Sequence, residues 1–406
     1  MKFYFPDSQD LVSPTYDFSN DEYSPLRVRQ RDDLYAHEAL SAPAYGGVLV
    51  SKAIVDGSVR GAGKYTMSQR QRLYRLGVRR FFRLPEGVST LGDCGAFNYA
   101  NEPTPPYSVD EVLDFYEHCG FDEGVSIDHI ILGFQRDSSE PPKQDWIIRK
   151  RISLEYAESF IRASERRGSA ITPVGAAQGW NRASYADSVR RLQDMGYQRI
   201  ALGGMVPLKT PDILDCLCAI QEIRSPSTEL HLLGITRIDS METFAQLGVT
   251  SFDSTSAFRQ AFMDDRDNFH TADMKYAAVR VPQVDANLKL KRAILAGHIS
   301  QRKALDAERN ALRSLRAFDS GSATLEQALE SVLEYESLIG VAKSYATQYR
   351  RTLEAAPWKD CPCGLCEQHG IEMIIFRGTE RNKRRGFHNL AVLASRMARL
   401  EQDETR

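Results

Sequence analysis

The sequence predicts an α/β fold, a (β/α)8 TIM-type barrel with a helical insertion and a cysteine-rich C-terminal subdomain, and three observations predict it. Between Ile171 and Asp253 strand-like and helix-like segments alternate strictly, with a cycle of about 25 residues that suits successive βα units of a parallel barrel. The strand-like segments end on glycines or a carboxylate, residue types that suit a site at the C-terminal face of such a barrel. Three cysteines then crowd into residues 361–366, far beyond the last expected strand.

Residues 1–45 are rich in Asp, Ser, Pro and Tyr with little periodicity and read as an irregular N-terminal arm. The barrel core is expected over 46–285, opening with a strand at GGVLVSKAI (46–54). From Gly57 to Pro85 no acidic residue interrupts Arg60, Lys64, Arg70, Arg72, Arg75, Arg79, Arg80 and Arg83, with Tyr65, Tyr74, Phe81 and Phe82 interleaved. Such a run is either a solvated helix face or a phosphate-contacting surface. GDCGAFNY (92–99) follows the apolar FFRLPEGVST, and small neighbours on both sides of Asp93 let a ligand approach the backbone. Ser108 and Glu111 make a capping box for a helix that ends before Gly120. GVSIDHIILGF (124–134) reads as a strand carrying Asp128, a carboxylate that must find donors or bind something in apolar surroundings.

A charged amphipathic helix is expected over 147–167. ITPVGAAQG (171–179) is the next strand and brings Gln178 to its end; a helix over 181–196 stops at Gly196. QRIALGGM (198–205) ends on Gly203, Gly204 and Met205, followed by Thr210 as N-cap and Pro211 at the first helical position. HLLGI (231–235) carries Leu233 and Gly234 to the rim; Asp239 and Glu242 frame a capping box, and TSFD (250–253) ends on Asp253. STSAFRQAF then places Arg259 and Phe262 just beyond that strand end. Two helical segments, from about Asn287 to Arg316 and from Leu325 to about Leu353, form an expected basic insertion over 286–357, packed on the outside of the barrel.

At 406 residues with a net charge of −2 the chain is not globally basic, so a nucleic acid would be met by a local patch. Its start lacks a signal-peptide pattern, and no apolar run approaches the roughly 18 residues of a membrane span, so a cytoplasmic protein without membrane contact is expected. Seven cysteines, an odd number, suit reduced thiols and a metal better than a disulfide framework. Cys361, Cys363 and Cys366 make C-x-C-x-x-C, and with His388 they complete a closed tetrahedral shell for one structural Zn2+ in a subdomain over 358–406. His369 competes for the fourth place. Cys216 and Cys218 read as core residues that face apart on a helix.

Asp93 and Asp253, two carboxylates at strand ends, are the minimum kit for breaking a glycosidic bond with retention, although either alone could be a helix cap or a buried acceptor. Asp128, Gln178 and the Gly203–Met205 backbone supply acceptors and donors for a purine edge. Phe97 could stack on the base or be an ordinary core aromatic.

At these residues the chain resembles the tRNA-guanine transglycosylase superfamily, in order from about Gly92 to Leu390. GDCGAFNY is similar to the family's D-S-G-G-F/Y-Q segment, which implies Asp93 as the proton-handling residue and Phe97 as the stacking aromatic. SIDHI resembles the segment with the base-binding Asp, here Asp128; AAQGW resembles V-Q-G, with Gln178; ALGGM resembles I-G-G-L, whose backbone touches the base. HLLG is similar to Y-L-M-G and implies Leu233 on the other face of the base, and SFDS resembles the segment with the nucleophile, here Asp253. The cysteine motif followed by His388 and Asn389 resembles the family's zinc motif.

Ala96 and Asn98 depart from the second Gly and the Gln of the first segment, and SAFRQAF keeps Arg259 but replaces the second Arg of P-T-R-x-x-R with Phe262. No RNA-binding domain follows the zinc motif. The resemblance is therefore greatest to the Dpd-type branch that inserts 7-deazaguanines into DNA. It implies exchange of guanine for a free 7-deazaguanine base, the nitrile preQ0, through a covalent Asp-glycosyl intermediate, with a possible DNA-distorting partner protein. The alternatives are a tRNA-guanine transglycosylase and a non-catalytic zinc-bearing subunit that binds nucleic acid.

Overall fold

The computed structural model describes residues 1–403 except 8, 58–60, 62, 137–139 and 341–342, with the backbone alone at 289 and 401–403. Arg60 of the basic run lies outside the described residues. Among them, eight parallel strands close into a barrel in chain order: β1 (Lys2–Pro6), β2 (Gly47–Ser51), β3 (Ser89–Asp93), β4 (Glu123–Val125), β5 (Thr172–Ala177), β6 (Arg199–Leu202), β7 (Glu229–Leu232) and β8 (Val249–Asp253). β1 closes the ring, setting Phe3 beside Phe252 and Tyr4 beside Asp253 on one side and Gly47 on the other. The segment expected as an irregular arm thus supplies the first strand. Phe3, Tyr4 and Phe5 are all buried there, and that burial outweighs the polar residues that follow. No described helix is long and apolar enough to cross a membrane.

The barrel interior is filled by Tyr4, Leu49, Leu91, Val125, Val174, Ala176 and Ala201, with Leu233 packed on the cluster from the rim. Close packing explains the small residues in the strands. A Cβ at Gly92 or Gly124 would lie 2.4 or 2.5 Å from the ring of Tyr116, which is wedged between the strands and the helix Val109–Cys119. That helix carries the expected Ser108–Glu111 capping box. The other local signals are displaced slightly. Lys209, not Thr210, is the N-cap of the helix Thr210–Gln221; the turn at Ile238–Ser240 is a 3-10 helix without side-chain capping before Met241–Gln246; Cys216 is buried while Cys218 is exposed.

The expected strand at 124–134 is the largest local difference. β4 stops at Val125, and Ser126 bridges to β5 through its N–H to Val174 O and its Oγ from Ala176 N. Asp128 therefore stands beyond the strand, at the mouth of the barrel.

The chain forms two compact units, one of Met1–Gln9 with Tyr45–Thr255, the other of Asp10–Ala44 with Ser256–Arg406. The boundary expected at 45 lies within one residue of the return to the first unit at Tyr45, whereas this division leaves that unit at Thr255 rather than at 285, because the ring of strands is complete at Asp253. In the second unit each expected helical segment is two helices, Leu288–Leu295 with Gln301–Asp319 and Leu325–Leu338 with Ala346–Ala355. Gly297 and Gly340, at φ of 76° and 64°, take the left-handed turns that separate them.

Arg377, Arg381, Lys383, Arg384 and Arg385 make a second basic run in the sequence, which alone would suit phosphate contacts, but its arginines are not a phosphate-binding surface. Arg377 donates to Asp21 and Glu308 at 2.6 Å each, Arg381 donates to Asp21 and Glu372, and Arg384 donates to Glu380 and the Ser13 carbonyl. Arg385 is fully buried against the carbonyls of Ala261, Met373 and Ile375. Arg377, Arg381 and Arg384 tie residues 13–21 to the start of the C-terminal helix Gly378–Asp403, and all four guanidinium groups are buried.

Candidate active site

Asp253, the last residue of β8, is buried, and both of its hydrogen bonds among the described residues fall on one oxygen. Oδ1 accepts the Gly234 N–H at 3.0 Å and lies 3.2 Å from His231 Nε2. Gly234 holds a φ of 73°, which turns its N–H back toward the strand end, and a Cβ there would meet Val206 Cγ2 at 2.8 Å. Oδ2 has no hydrogen-bond partner among the described residues. His231, on β7, is held in turn by Ser251 Oγ at 2.9 Å from Nδ1.

Asp93 ends β3. Its Oδ2 accepts the Ser51 hydroxyl at 2.7 Å and the Gly95 N–H at 2.9 Å, the latter made possible by Gly95 at a φ of 80°. Burial raises its pKa above the ordinary carboxylate value, and the charge of Asp253 adds to the effect; the Ser51 and Gly95 donors oppose it. The charge of Asp253 thus reaches Asp93, which favours its proton, while Asp253 is anchored as an acceptor by His231 and Gly234.

Beside them, Gln178 and Asp128 are joined by a bond of 2.6 Å from Gln178 Nε2 to Asp128 Oδ2. Gln178 Oε1 accepts the Ile131 N–H at 3.0 Å, which fixes the amide orientation. Burial, and then the charge of Asp93, push the Asp128 pKa up to about 7. Gly203 lies against this pair: a Cβ there would sit 2.2 Å from Gln178 Nε2 and 3.4 Å from Asp128 Oδ2. A Cβ on Gly204, at a φ of 76°, would fall 2.3 Å from Ile131 O and 2.9 Å from Gln178 Oε1, and Met205 next to it is buried. Phe97, on the 3-10 helix Ala96–Tyr99, is 57% exposed, so it is no core aromatic. Asn98 bonds Gly95 O through Nδ2 and closes the turn after Asp93. Asp93, Asp253, Gln178, Gly203, Gly204, Leu233 and Gly234 thus stand at or just past the ends of barrel strands, and Asp128 lies three residues beyond the end of β4.

Ser51, His231 and Ser251 escaped the sequence reading because each sits inside or at the end of an apolar strand. The available signal was alternation: His231 lies between Leu230 and Leu232, and a polar residue in that register points the opposite way to its neighbours.

In the second unit Arg259 is exposed on the helix Ser256–Met263. Phe258, which the sequence alone would offer beside Arg259 and Phe262 as a wedge or stacking group, is buried there between Phe262 and Phe387 and has no face open to a ligand. Of the basic run at 64–83, Arg70 pairs with Asp56 and Arg79 with Asp122, whereas Lys64, Arg75 and Arg80 are exposed.

The second unit gathers Cys361, Cys363, Cys366 and His388, whose ligand atoms all lie within 4.8 Å of one another. His388 Nδ1 is 3.3 Å from Cys361 Sγ and 3.4 Å from Cys366 Sγ, while its Nε2 donates to the His270 carbonyl at 2.7 Å. That outer bond commits Nδ1 to the cluster, the arrangement of a metal-ligating imidazole. His369 is elsewhere engaged, taking Arg384 Nε on its Nε2 at 3.2 Å. Three thiols without disulfides and one oriented imidazole fit a tetrahedral metal ion.

No protein-family model matches the chain. A curated DNA-guanine transglycosylase of Salmonella montevideo is 47% identical to it over 404 residues, 98% of this chain and 96% of the relative. Agreement at that level over nearly the full length of both chains, with the barrel and its carboxylate-lined mouth, shows that the chain belongs to the DNA-guanine transglycosylase family, the DNA-modifying branch of the tRNA-guanine transglycosylase superfamily.

Proposed function

We propose that this protein exchanges guanine in DNA for a free 7-deazaguanine base by double displacement. The observation that carries the reading is the contrast between Asp93, whose surroundings favour its proton, and Asp253, whose Oδ1 is anchored while Oδ2 has no partner among the described residues. Asp253 Oδ2 attacks C1′ as the bond from C1′ to guanine N9 breaks, and Asp93 gives its proton to the departing base. The incoming base then loses its N9 proton to Asp93, and its nitrogen displaces Asp253 from C1′. Two inversions give net retention, and the proton and the electron pairs return to where they began.

Asp128 accepts the N–H donors of the guanine-type edge, and Gln178 with the Gly203 and Gly204 backbone takes its carbonyl side. Phe97 covers one face of the ring and Leu233 the other, and the Met205 backbone continues the segment that touches the base edge. The target nucleotide must leave its stack to enter, at a cost of a few kcal/mol, so the substrate is single-stranded or is opened by a partner protein that distorts DNA. Arg259, exposed and six residues beyond Asp253, contacts the phosphate backbone. The Cys361, Cys363, Cys366 and His388 cluster holds one structural Zn2+, which cross-links the C-terminal segment and takes no part in the exchange.

Nucleosides released from both DNA and tRNA of cells with and without the gene, read by mass spectrometry, test this function. A 7-deazaguanine, expected to be preQ0, should appear in DNA only when the gene is present. A 7-deazaguanine that vanishes from tRNA with the gene and is never found in DNA would reverse the choice of substrate.

A further inference from the structure

Asp253 ends a chain of polar side chains that runs through the barrel interior, and donor counting fixes the direction of each hydrogen bond in it. Arg199, on β6, can only donate. Its Nη1 reaches Glu123 Oε1 at 2.8 Å, a carboxylate that also accepts the Tyr4 hydroxyl at 3.1 Å, and its Nη2 reaches Ser251 Oγ at 3.3 Å. At the other end the Asp253 carboxylate can only accept. Between them lie Ser251 Oγ, 2.9 Å from His231 Nδ1, and His231 Nε2, 3.2 Å from Asp253 Oδ1.

Because the Asp253 carboxylate can only accept, His231 Nε2 carries a proton; the Ser251 oxygen takes the Arg199 N–H on one lone pair, and its own hydrogen finds its acceptor at His231 Nδ1. The imidazole is then neutral, with its single proton on Nε2 and aimed at Asp253. A doubly protonated ring would leave the Ser251 hydroxyl hydrogen without an acceptor among the described residues. His231 and Ser251 are 2% and 1% exposed, and the ring edge of Tyr4 packs on the imidazole at 5.6 Å, so solvent has little access to reset the tautomer.

We propose that Arg199 and Ser251 set the tautomer of His231 and that His231 is the positioning residue for Asp253. The neutral Nε2–H and the Gly234 N–H both occupy Oδ1, and Oδ2 is presented for attack. A neutral donor orients the carboxylate without cancelling its charge, as a buried Lys or Arg in the same place would. This inference rests on Asp253 being the nucleophile.

The test is steady-state base exchange by the purified full-length protein on guanine-containing DNA, for His231→Leu, His231→Gln, Ser251→Ala and Asp253→Ala. Leu fills the space without a donor, whereas Gln can place an N–H near the position of Nε2. His231→Leu should lower kcat about 10- to 100-fold with KM for the free base unchanged, the size of one lost hydrogen bond to a charged group. His231→Gln should recover most of that loss, and Ser251→Ala should fall between. A His231→Leu kcat within about twofold of wild type, or a His231→Gln variant no better than Leu, contradicts the relay. Should His231→Leu fail to fold, His231→Gln and Ser251→Ala decide alone, and an unimpaired Ser251→Ala contradicts it. Asp253→Ala separates the two readings: if it still turns over, the nucleophile assignment fails, whereas a dead Asp253→Ala beside unimpaired His231 variants defeats only the relay.

Discussion

Gln178 gives Nε2–H to Asp128 Oδ2 at 2.6 Å and takes the Ile131 N–H on Oε1, so one amide, held at both ends, fixes a buried carboxyl at the mouth of the barrel. The pKa of Asp128 stands at about 7, raised by burial and then by Asp93. An acceptor for base N–H groups must be ionised, so affinity for free 7-deazaguanine should rise as pH climbs through about 7 and fall below it. Isothermal titration between pH 5.5 and 8.5 reads this, and a flat profile would contradict the assignment of Asp128 to the base.

Stability should run the other way. The folded-state pKa lies above the ordinary carboxylate value, so from about pH 4 to pH 7 the unfolded chain gives up this proton first and rising pH destabilises the fold. Asp128→Asn removes that ionisation. It should be more stable than wild type at pH 8, by about 1–4 kcal/mol, and deficient in base binding. Thermal melts at pH 5 and pH 8 check the sign, with the difference between variant and wild type expected to shrink at the lower pH.

Gly203→Ala should act on the same pair. Its Cβ would fall 2.2 Å from Gln178 Nε2, too close for any real contact, so the amide must turn away from Asp128. Loss of base binding with a melting temperature near that of wild type is expected; unchanged affinity would show that the Gln178 amide is not needed in its observed place.

The two kinds of arginine should separate cleanly. Arg381 is 1% exposed and bound to Asp21 and Glu372, which keep Arg377 and Arg316 as their other partners, so Arg381→Ala removes one of two guanidinium groups from each buried carboxylate and should destabilise the protein by about 1–3 kcal/mol. Arg259→Ala should leave the melting temperature unchanged, weaken DNA binding and reduce the salt slope of that binding by about 1. DNA affinity measured across a salt series, beside thermal melts, distinguishes them.

Chelation should release about one zinc per chain and lower the melting temperature, because a closed thiolate site contributes folding energy directly. Cys363→Ala should do the same, and a variant with unchanged metal content would remove Cys363 from the site.

The strand-helix cycles were legible because most close on a glycine that has to adopt a left-handed or closely packed conformation, as Gly204 and Gly234 do. The zinc-type cluster was legible because its ligands lie close in sequence. β1 was not: three buried aromatic residues followed by a long polar stretch do not resemble a strand until β2 and β8 are present to pair with it. Nor was the fate of Arg377, Arg381 and Arg384, since their partners at residues 13–21 lie about 360 positions away and a charge run does not reveal which face it buries. His231 was hidden inside an apolar strand, and its function depends on Asp253 and Ser251, which a different strand brings beside it.

The central claim is that Asp253 becomes covalently bound to the deoxyribose during exchange. The most direct measurement is denaturing electrophoresis of the protein after reaction with labelled guanine-containing DNA, with mass spectrometry of the labelled peptide. The account predicts an adduct on the peptide containing Asp253 that is discharged by added 7-deazaguanine and is absent from Asp253→Ala. An adduct that persists in Asp253→Ala, or one that maps to Asp93, would contradict it.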